Sequence, residues 1–308
     1  MIYTITLNPA LDRTIWLDEL KIDDTNRIIK EEKYAGGKGI DVSRVLFNFG
    51  VPNIALGFVG GFAGLEIEGL LINEGVNFDF IKISEETRTN IVINTIKTNN
   101  QIIISAKGPN IPPFELTKLM EKINNLENPS YVVISGSLPE GLKPAIYAKI
   151  IDIAKAKSAT VVLDTDGDVL KFNINHKPDI IKPNRHELSR VVGREIKTID
   201  DAVIAAKEIN RMGVKIVLVS LGKDGIVYVS QNTVMHAIPP SLKVINTIGA
   251  GDSSVAGFIY AKYMGFSDEE ALVYAVATGS ATTLKPGTAL ATLEDALRLK
   301  DKVKVRYL

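Results

Sequence analysis

The sequence contains no cysteine and only three histidines among its 308 residues. The absence of cysteine excludes disulfides, thiolate metal sites and a cysteine nucleophile. The histidines, His176, His186 and His236, are too few for a His-rich metal centre. They also argue against a Ser-His-Asp hydrolase.

The chain also lacks an excess of charge and a long apolar run. Lys plus Arg and Asp plus Glu number 36 each, so the net charge is zero. The chain has no block of basic residues of the kind that would indicate a nucleic acid or membrane partner. No apolar run approaches the roughly 18 residues of a membrane span, and the first residues lack the layout of a signal peptide. We therefore expect a cytoplasmic protein in which any anion site is local.

Short apolar runs alternate with segments of helical periodicity. Alternation of strand and helix predicts an α/β, doubly wound and mostly parallel sheet flanked by helices, in a single domain over 1–308. The predicted strands are 2–7, 54–58, 131–134, 160–163, 180–182, 216–219 and 226–229. The predicted helices are 42–49, 65–74, 114–126, 144–157, 200–212, 251–264 and 268–284.

Two segments, about 15–33 and 89–105, interrupt this order by alternating apolar and polar residues. Such alternation is typical of half-exposed antiparallel strands. We expect them to form a small β-sheet lid near the carboxyl ends of the parallel strands, where ligands bind. A partner subunit would cover its exposed face, which predicts a homodimer through the lid.

The most informative motif is Asn246-Thr-Ile-Gly-Ala-Gly-Asp252, which precedes a helical segment. Small residues at a helix N-terminus leave N–H groups free, and the helix dipole favours an anion there. Asp252 would lie beside that anion and stay ionised at neutral pH. This arrangement suits phosphoryl transfer to a hydroxyl, while a glycine turn with an acidic N-cap is the alternative.

Other polar segments follow predicted strands or open the lid. Asp12 follows the first strand and would point into the ligand crevice, or else cap a turn. Gly36-Gly-Lys-Gly39 is no P-loop, because Gly rather than Ser or Thr follows Lys38. Arg88 would hold a phosphate or be solvated, and Ser135-Gly-Ser137 would hold a phosphate or make a turn.

Two further segments suit a nucleotide and its metal ion. Asn184 and Glu187 share a helix face that fits a hydrated Mg2+, and they also fit a capping box. The segment 220–225 is a glycine turn that would pass beside a nucleotide or form a plain hairpin.

The order of these motifs resembles the PfkB carbohydrate kinases of the ribokinase-like fold, across 1–290. Gly36-Gly-Lys-Gly-Ile-Asp-Val-Ser-Arg44 and Asn246-Thr-Ile-Gly-Ala-Gly-Asp252 resemble the two family signatures. The opening Thr6-Leu-Asn-Pro-Ala-Leu-Asp12, with Thr87-Arg-Thr-Asn90, resembles the hexose-phosphate branch. That branch comprises 1-phosphofructokinase, tagatose-6-phosphate kinase and the minor 6-phosphofructokinase.

The resemblance implies an ATP-dependent kinase of fructose 1-phosphate, fructose 6-phosphate or tagatose 6-phosphate, with Mg2+ and, in some members, K+. Asp252 would be the catalytic base and Gly249, Ala250 and Gly251 the anion hole. Sugar contacts would come from Asp12, Gly37 and Asp41, and the substrate phosphate would be held by Arg27, Lys38, Arg88 and Ser137. Nucleotide contacts would come from Lys182, Asn184, Ser220, Gly222, Gly225 and Thr247, with Asn184 and Glu187 positioning Mg2+ through water.

Two departures and three alternatives qualify these roles. Asp41 stands where the signature usually has Asn. Asn246 stands where the monovalent-cation site of the family often has Asp, but the hexose-phosphate branch shares Asn there. A kinase of an unphosphorylated sugar or nucleoside is the first alternative, and a non-catalytic sugar- or nucleotide-binding regulator the second. A dinucleotide oxidoreductase is excluded, since no Gly-x-Gly-x-x-Gly follows the first strand.

Overall fold

The computed structural model describes all 308 residues and contains two separate sheets. The main sheet has ten strands in the order β14-β13-β12-β11-β10-β9-β8-β1-β4-β5. Neighbouring strands from β5 across to β11 are parallel, and β12, β13 and β14 continue antiparallel. These strands are β1 (Ile2–Thr6), β4 (Asn53–Val59), β5 (Ile81–Lys82), β8 (Tyr131–Ser135), β9 (Thr160–Asp164), β10 (Ile180–Ile181), β11 (Ile216–Ser220), β12 (Ile226–Val229), β13 (Val234–Ile238) and β14 (Lys304–Tyr307).

Ten helices cover both faces of this sheet, so its central strands are apolar throughout. One apolar cluster includes side chains of α3, α4, α6 and α7, and a second, across the sheet, includes those of α1, α8, α9 and α10. The helices are α1 (Lys38–Asn48), α2 (Gly61–Glu74), α3 (Pro113–Asn124), α4 (Ala145–Ala156), α5 (Gly167–Asn173), α6 (Arg185–Val192), α7 (Ile199–Arg211), α8 (Ala250–Tyr263), α9 (Asp268–Thr282) and α10 (Leu293–Lys300). None of them combines the length and hydropathy needed to span a bilayer.

The lid is a four-stranded sheet in the order β3-β2-β6-β7, formed by β2 (Ala10–Leu17), β3 (Lys30–Gly36), β6 (Arg88–Thr95) and β7 (Asn100–Ile104). The small separate sheet confirms the predicted lid, but two details of the prediction are wrong. β2 and β6 pair in parallel, and only the outer pairs are antiparallel. The first lid segment begins at Ala10 rather than at about residue 15, and its residues 18–29 form no strand. The second segment begins at Arg88.

The helices α8 and α9 pack at unusually close range, which fixes the start of α8 against the sheet. A Cβ at Gly257 would lie 2.4 Å from Thr278 Oγ1 and 2.7 Å from the carbonyl oxygen of Tyr274. A Cβ at Gly279 would lie 2.1 Å from Ser254 Oγ. Only glycine allows these two backbones to approach so closely.

The strand order reverses at β1, which lies between β4 and β8. In open α/β sheets, ligands bind at the carboxyl edge near such a reversal. Asp164, Lys182 and Ser220 lie at the carboxyl ends of β9, β10 and β11. Together with the starts of α1 and α8, they mark the candidate site.

Candidate active site

The start of α8 offers free N–H groups, as the sequence predicts. Gly249 is the N-cap, with φ of 74° in the left-handed region that glycine accommodates. The N–H groups of Gly251 and Asp252 donate to no protein acceptor, whereas that of Ala250 donates to Thr247 O at 3.3 Å. The N–H groups available to an anion are therefore those of the two residues that follow Ala250.

Asp252 lies in the first turn of α8 and is buried. Burial raises the pKa of its carboxyl to about 7, with Lys38 and Lys182 opposing the rise and Asp164 and Glu187 adding to it. The sequence predicts full ionisation of Asp252 at neutral pH, but with this pKa the carboxyl is only partly ionised there in the free protein. Loss of water outweighs the helix dipole, and the group is poised between an acid and a base near neutrality.

Two lysines and two carboxylates surround Asp252 in one cluster. Lys38 Nζ lies 3.2 Å from Asp164 Oδ1 and 3.7 Å from Glu187 Oε1, and Lys182 Nζ lies 3.4 Å from Asp164 Oδ2. Burial raises the pKa of Asp164, but Lys182 and Lys38 outweigh it and hold that pKa below its ordinary value. Conversely, Asp164, Asp252 and Glu187 hold the pKa of Lys38 above its ordinary value against burial. The cluster thus holds two cations ready for phosphate oxygens.

Asp164 is the residue of this cluster that sequence reasoning missed. Its side chain is 1% exposed, and it ends β9 between two lysines from distant parts of the chain. One signal was present: a carboxylate directly after an apolar parallel strand, in the same position that singles out Lys182. The lysine partners were not readable, because they are 126 and 18 residues away in sequence.

Lys38 lies at a different place from the one its predicted role suggests. The ammonium reaches Asp164 and Glu187, and no contact joins it to Arg88 or Ser137. Its Cβ nevertheless lies beside Gly136, where an added Cβ would be 3.9 Å away. Lys38 therefore spans from the Gly-Ser turn after β8 to the cluster around Asp252.

Asn184 and Glu187 form a complete capping box at the start of α6. Asn184 Oδ1 accepts from Glu187 N at 2.9 Å, and Glu187 Oε2 accepts from Asn184 N at 2.8 Å. Glu187 Oε1 remains turned towards Lys38, and the Asn184 amide nitrogen has no protein partner. The same pair therefore starts a helix and presents polar atoms to the cleft.

A cleft of about 860 Å3 joins this cluster to the turn after β11. Ser220, Gly222 and Gly225 line it, on a hairpin that joins β11 to the antiparallel β12. Gly225 has φ of 87°, and a Cβ there would lie 1.9 Å from Ala237 O, so the turn requires glycine. Beyond the turn the lining includes Ile226, Pro239, Leu242 and Val276, which gives this end an apolar surface.

Asp12 lies on the lid strand β2 rather than at the tip of β1, so the predicted position is wrong. The chain turns at 7–9 and enters the lid before reaching Asp12. The carboxylate lies over Gly36, where a Cβ would be 2.1 Å from Oδ2, and its Oδ1 accepts from Asn90 Nδ2 at 2.8 Å. Burial raises the pKa of Asp12, with Asn90 and Arg88 opposing the rise.

Asp41 is buried at the start of α1. It is close enough to Asp12 and Asp252 for their negative charges to affect its ionisation. Its Oδ1 accepts from Arg44 Nη1 at 3.1 Å, and Arg44 also forms a two-pronged pair with Glu74. Burial raises the pKa of Asp41 well above its ordinary value; Arg44 opposes the rise, and Asp252 and Asp12 add to it. Three carboxyl groups thus converge near the predicted sugar site.

Arg88 holds three backbone segments together. Its guanidinium donates to the carbonyl oxygens of Asn8, Pro9 and Ala106 at 2.9, 3.3 and 2.8 Å. Since a guanidinium has five N–H groups, two remain for an external anion. Ser137 lies close by through Asn8, whose Nδ2 donates to Ser137 Oγ at 3.1 Å.

The remaining predicted residues divide into those at the site and one apart from it. Gly37, with φ of 121°, is the N-cap of α1, and Thr247 lines the large cleft. Arg27 is exposed in the strandless segment 18–29, and its side chain makes no hydrogen bond or ion pair within the chain. Within one chain, no contact brings Arg27 to Arg88 or Ser137.

The donor set around Asp252 fits a hydrated divalent cation rather than a protein-only cage. No group of three or more carboxylate or imidazole side chains stands close enough to enclose a metal ion. Glu187 Oε1 and Asp164 Oδ2, whose nearest cation is Lys182 Nζ at 3.4 Å, are oxygen ligands of the type that Mg2+ prefers. Such an ion would take its other ligands from phosphate and water.

Comparisons with known proteins cover the whole chain. A sequence model described as pfkB family carbohydrate kinase matches residues 6–296. The 1-phosphofructokinase of Bacillus subtilis is 37% identical over all of both chains. The D-tagatose-1-phosphate kinase of Bacillus licheniformis is 36% identical over 93% of this chain and 94% of its own.

A solved structure agrees with this likeness. Phosphofructokinase-2 from Escherichia coli, in complex with potassium, superposes with a TM-score of 0.93 at 31% identity, over 98% of each chain. Its architecture confirms the predicted ribokinase-like fold. The chain therefore belongs to the pfkB family of carbohydrate kinases.

Proposed function

We propose that this protein transfers the γ-phosphoryl group of ATP to a hydroxyl group of a ketohexose monophosphate, giving ADP and a ketohexose bisphosphate. The observation that carries the proposal is the start of α8, where Asp252 adjoins two free N–H groups and two lysines. Phosphoryl transfer needs this combination of positioning, charge neutralisation and a proton acceptor.

In the proposed reaction, the ionised carboxylate of Asp252 accepts the proton of the attacking hydroxyl. The hydroxyl oxygen forms a bond to the γ-phosphorus, and the bond to the β–γ bridging oxygen breaks, leaving its electron pair on ADP. The N–H groups of Gly251 and Asp252, with Lys38 and Lys182, stabilise the charge on the transferring group. Mg2+, when held by Glu187, Asp164 and water, would neutralise phosphate oxygens, and Asn184 and Thr247 would contact the nucleotide.

The acceptor would lie between the lid and the start of α1. Asp12 and Asp41 are hydrogen-bond acceptors for sugar hydroxyl groups, and the absence of a side chain at Gly36 leaves room for the Asp12 carboxylate. Gly37, at the N-cap of α1, would contact the sugar through its backbone. The two free N–H groups of Arg88, with Ser137, would hold the phosphate that the substrate already carries. Because two relatives are named for ketohexose 1-phosphates, we place fructose 1-phosphate and tagatose 1-phosphate first among the candidates.

A kinase of an unphosphorylated sugar is the second candidate. Three N–H groups of Arg88 already donate to backbone carbonyls. Arg27 of the same chain lies outside the site. Each of the three carboxyl groups around the acceptor would also repel a phosphate when it is ionised. A non-catalytic binder is disfavoured, because it has no use for a base beside the anion site.

The test is an ADP-release assay with Mg-ATP, run with and without K+. The acceptors are fructose 1-phosphate, tagatose 1-phosphate, fructose 6-phosphate, tagatose 6-phosphate, fructose, ribose and adenosine. Turnover confined to a phosphosugar, with an increase in its KM in Arg88→Ala, is the expected result. Turnover confined to neutral acceptors would overturn the phosphate site while keeping the kinase chemistry.

We also propose that two lids pack together in a homodimer. Ile15, Ile91 and Ile93 lie on the lid face opposite Asp12, with Ile102 and Ile104, which are 36% and 52% exposed. Light scattering should give twice the chain mass, and Ile104→Lys should halve it. Ile72→Lys, a change at a more exposed isoleucine on α2, serves as the control; a monomeric wild-type protein would contradict the proposal.

A further inference from the structure

A second cleft, of about 460 Å3, lies between the lid and the two loops that precede α8 and follow α9. One wall comes from the lid and includes Thr14, Trp16 and Asn94. The opposite wall comes from Ile245, Asn246 and Ile248, just before α8, and from Pro286 and Gly287, after α9. It shares no lining residue with the larger cleft around Asp252.

The lining of this second cleft is polar but uncharged. None of its fourteen lining residues carries a charge, although 23% of the chain is charged, and seven have an amide or hydroxyl side chain. Lys30, whose ammonium lies 4.7 Å from the centre of the Trp16 ring, is already paired with Glu32 at 2.6 Å. Because a phosphate needs a cation or several aligned donors, a phosphosugar or nucleotide does not fit.

Several hydrogen-bonding groups in the cleft await a partner. Thr14 is 1% exposed, and its Oγ1 has no hydrogen-bond partner. Gln101 Nε2 donates to Asn94 Oδ1 at 3.1 Å, which fixes both amides and leaves Gln101 Oε1 and Asn94 Nδ2 free. Trp16, the single tryptophan of the chain, adds an apolar ring beside them.

We infer that this cleft is a binding site for an uncharged sugar, distinct from the acceptor site. Amide and hydroxyl groups pair with sugar hydroxyls, which both donate and accept, and the Trp16 ring covers apolar C–H surface. The cleft volume lies within the about 300–1,000 Å3 typical of small-molecule sites. Such a ligand contacts both walls and binds only when the lid lies against the main domain.

The position of the cleft links it to the site around Asp252. Thr14 follows Asp12 by two residues on the same face of β2, and the opposite wall leads at Ile248 into Gly249. A ligand that bridges both walls therefore favours the arrangement in which Asp12 approaches the start of α8. By linkage, it should lower the KM of the phosphosugar, an effect that rests on the proposed kinase activity.

The single tryptophan makes the binding directly measurable in the full-length protein. Emission of Trp16 is recorded while D-fructose, D-glucose or adenosine is added, without ATP or phosphosugar. We expect a saturable change with a sugar and none with adenosine. No saturable change would mean that the cleft holds only water, and a change with adenosine alone would mean that the ligand class is wrong; either result overturns the inference.

Variants locate the bound sugar. Gln101→Leu, at an exposed position, should weaken sugar binding about five- to ten-fold through loss of a hydrogen bond, while Asp12→Asn should leave it unchanged. The reverse pattern would place the sugar in the acceptor site and refute the second site. At the same sugar concentration, Gln101→Leu should also show a smaller increase in melting temperature than the wild-type protein.

Two further measurements complete the test. Thr14→Val should weaken sugar binding without lowering stability in the absence of sugar, since its hydroxyl has no partner there; lost stability would show an internal role for that hydroxyl and contradict the assignment. A saturating sugar should lower the phosphosugar KM about five-fold, and an unchanged KM would refute the coupling. Absence of turnover with every acceptor would refute the proposed kinase activity but leave the emission result standing.

Discussion

The raised pKa of Asp252 predicts how activity depends on pH and how a substitution of the neighbouring Lys38 shifts that dependence. If the base must be ionised and its pKa is about 7, kcat/KM should increase about ten-fold between pH 6 and pH 8, with a slope of one proton. Burial causes the shift, and the Lys38 ammonium limits it. Lys38→Met should therefore move the acid limb to higher pH.

The comparison between variants distinguishes titration of the enzyme from titration of its substrate. The phosphate of the sugar also titrates, with a second pKa of about 6, but this contribution is the same for every variant. Lys223→Met is the matched control, because Lys223 lines the same cleft and does not contribute to the shift at Asp252. An unchanged acid limb in Lys38→Met, or an equal shift in Lys223→Met, would refute the electrostatic argument.

Three further variants test the base, the phosphate grip and the helix contact. Asp252→Asn should lower kcat by several orders of magnitude with little change in ATP affinity by calorimetry. It should also gain stability relative to wild type as the pH increases from 5 to 7, because the Asp252 carboxyl of the wild type ionises more readily in the unfolded chain than in the folded protein. The difference should level off above pH 7, and equal stability curves would contradict this. Arg88→Ala should raise the phosphosugar KM far more than the ATP KM, and equal changes would remove Arg88 from the phosphate site. Gly257→Ala should lower the free energy of unfolding in urea by about 1–3 kcal/mol, because its methyl group would clash with α9. Gly69→Ala, in open space on α2, is the control and should be neutral or stabilising. A neutral Gly257→Ala would show that the helices can separate freely.

The parallel sheet was predictable because its strands are buried on both faces and read as continuous apolar runs. All seven predicted strands occur, and no strand end differs from its prediction by more than one residue. The antiparallel extension was predicted only as far as β12, and the buried β13 and the largely exposed β14 were missed. The lid strands were predicted from alternation, but alternation indicates which face is buried and not which strand pairs with which.

The limits at the site have the same origin. The start of α8 was readable because its function lies in local backbone geometry, encoded by adjacent small residues. The ionisation of Asp252 was not readable, because it depends on burial under distant elements. Asp164 and Lys38 meet only when β9 and α1 reach the same sheet edge, so no spacing in the sequence announces their pairing.

The capping box at the start of α6 affects which substitution gives a useful inactive protein. Glu187 uses one carboxylate oxygen to begin a helix and presents the other to Lys38. A change that removes this carboxylate alters local folding and chemistry together, and the lost activity has no single explanation. Asp252 caps nothing with its side chain, so Asp252→Asn is the better trap for crystallising the protein with both substrates bound.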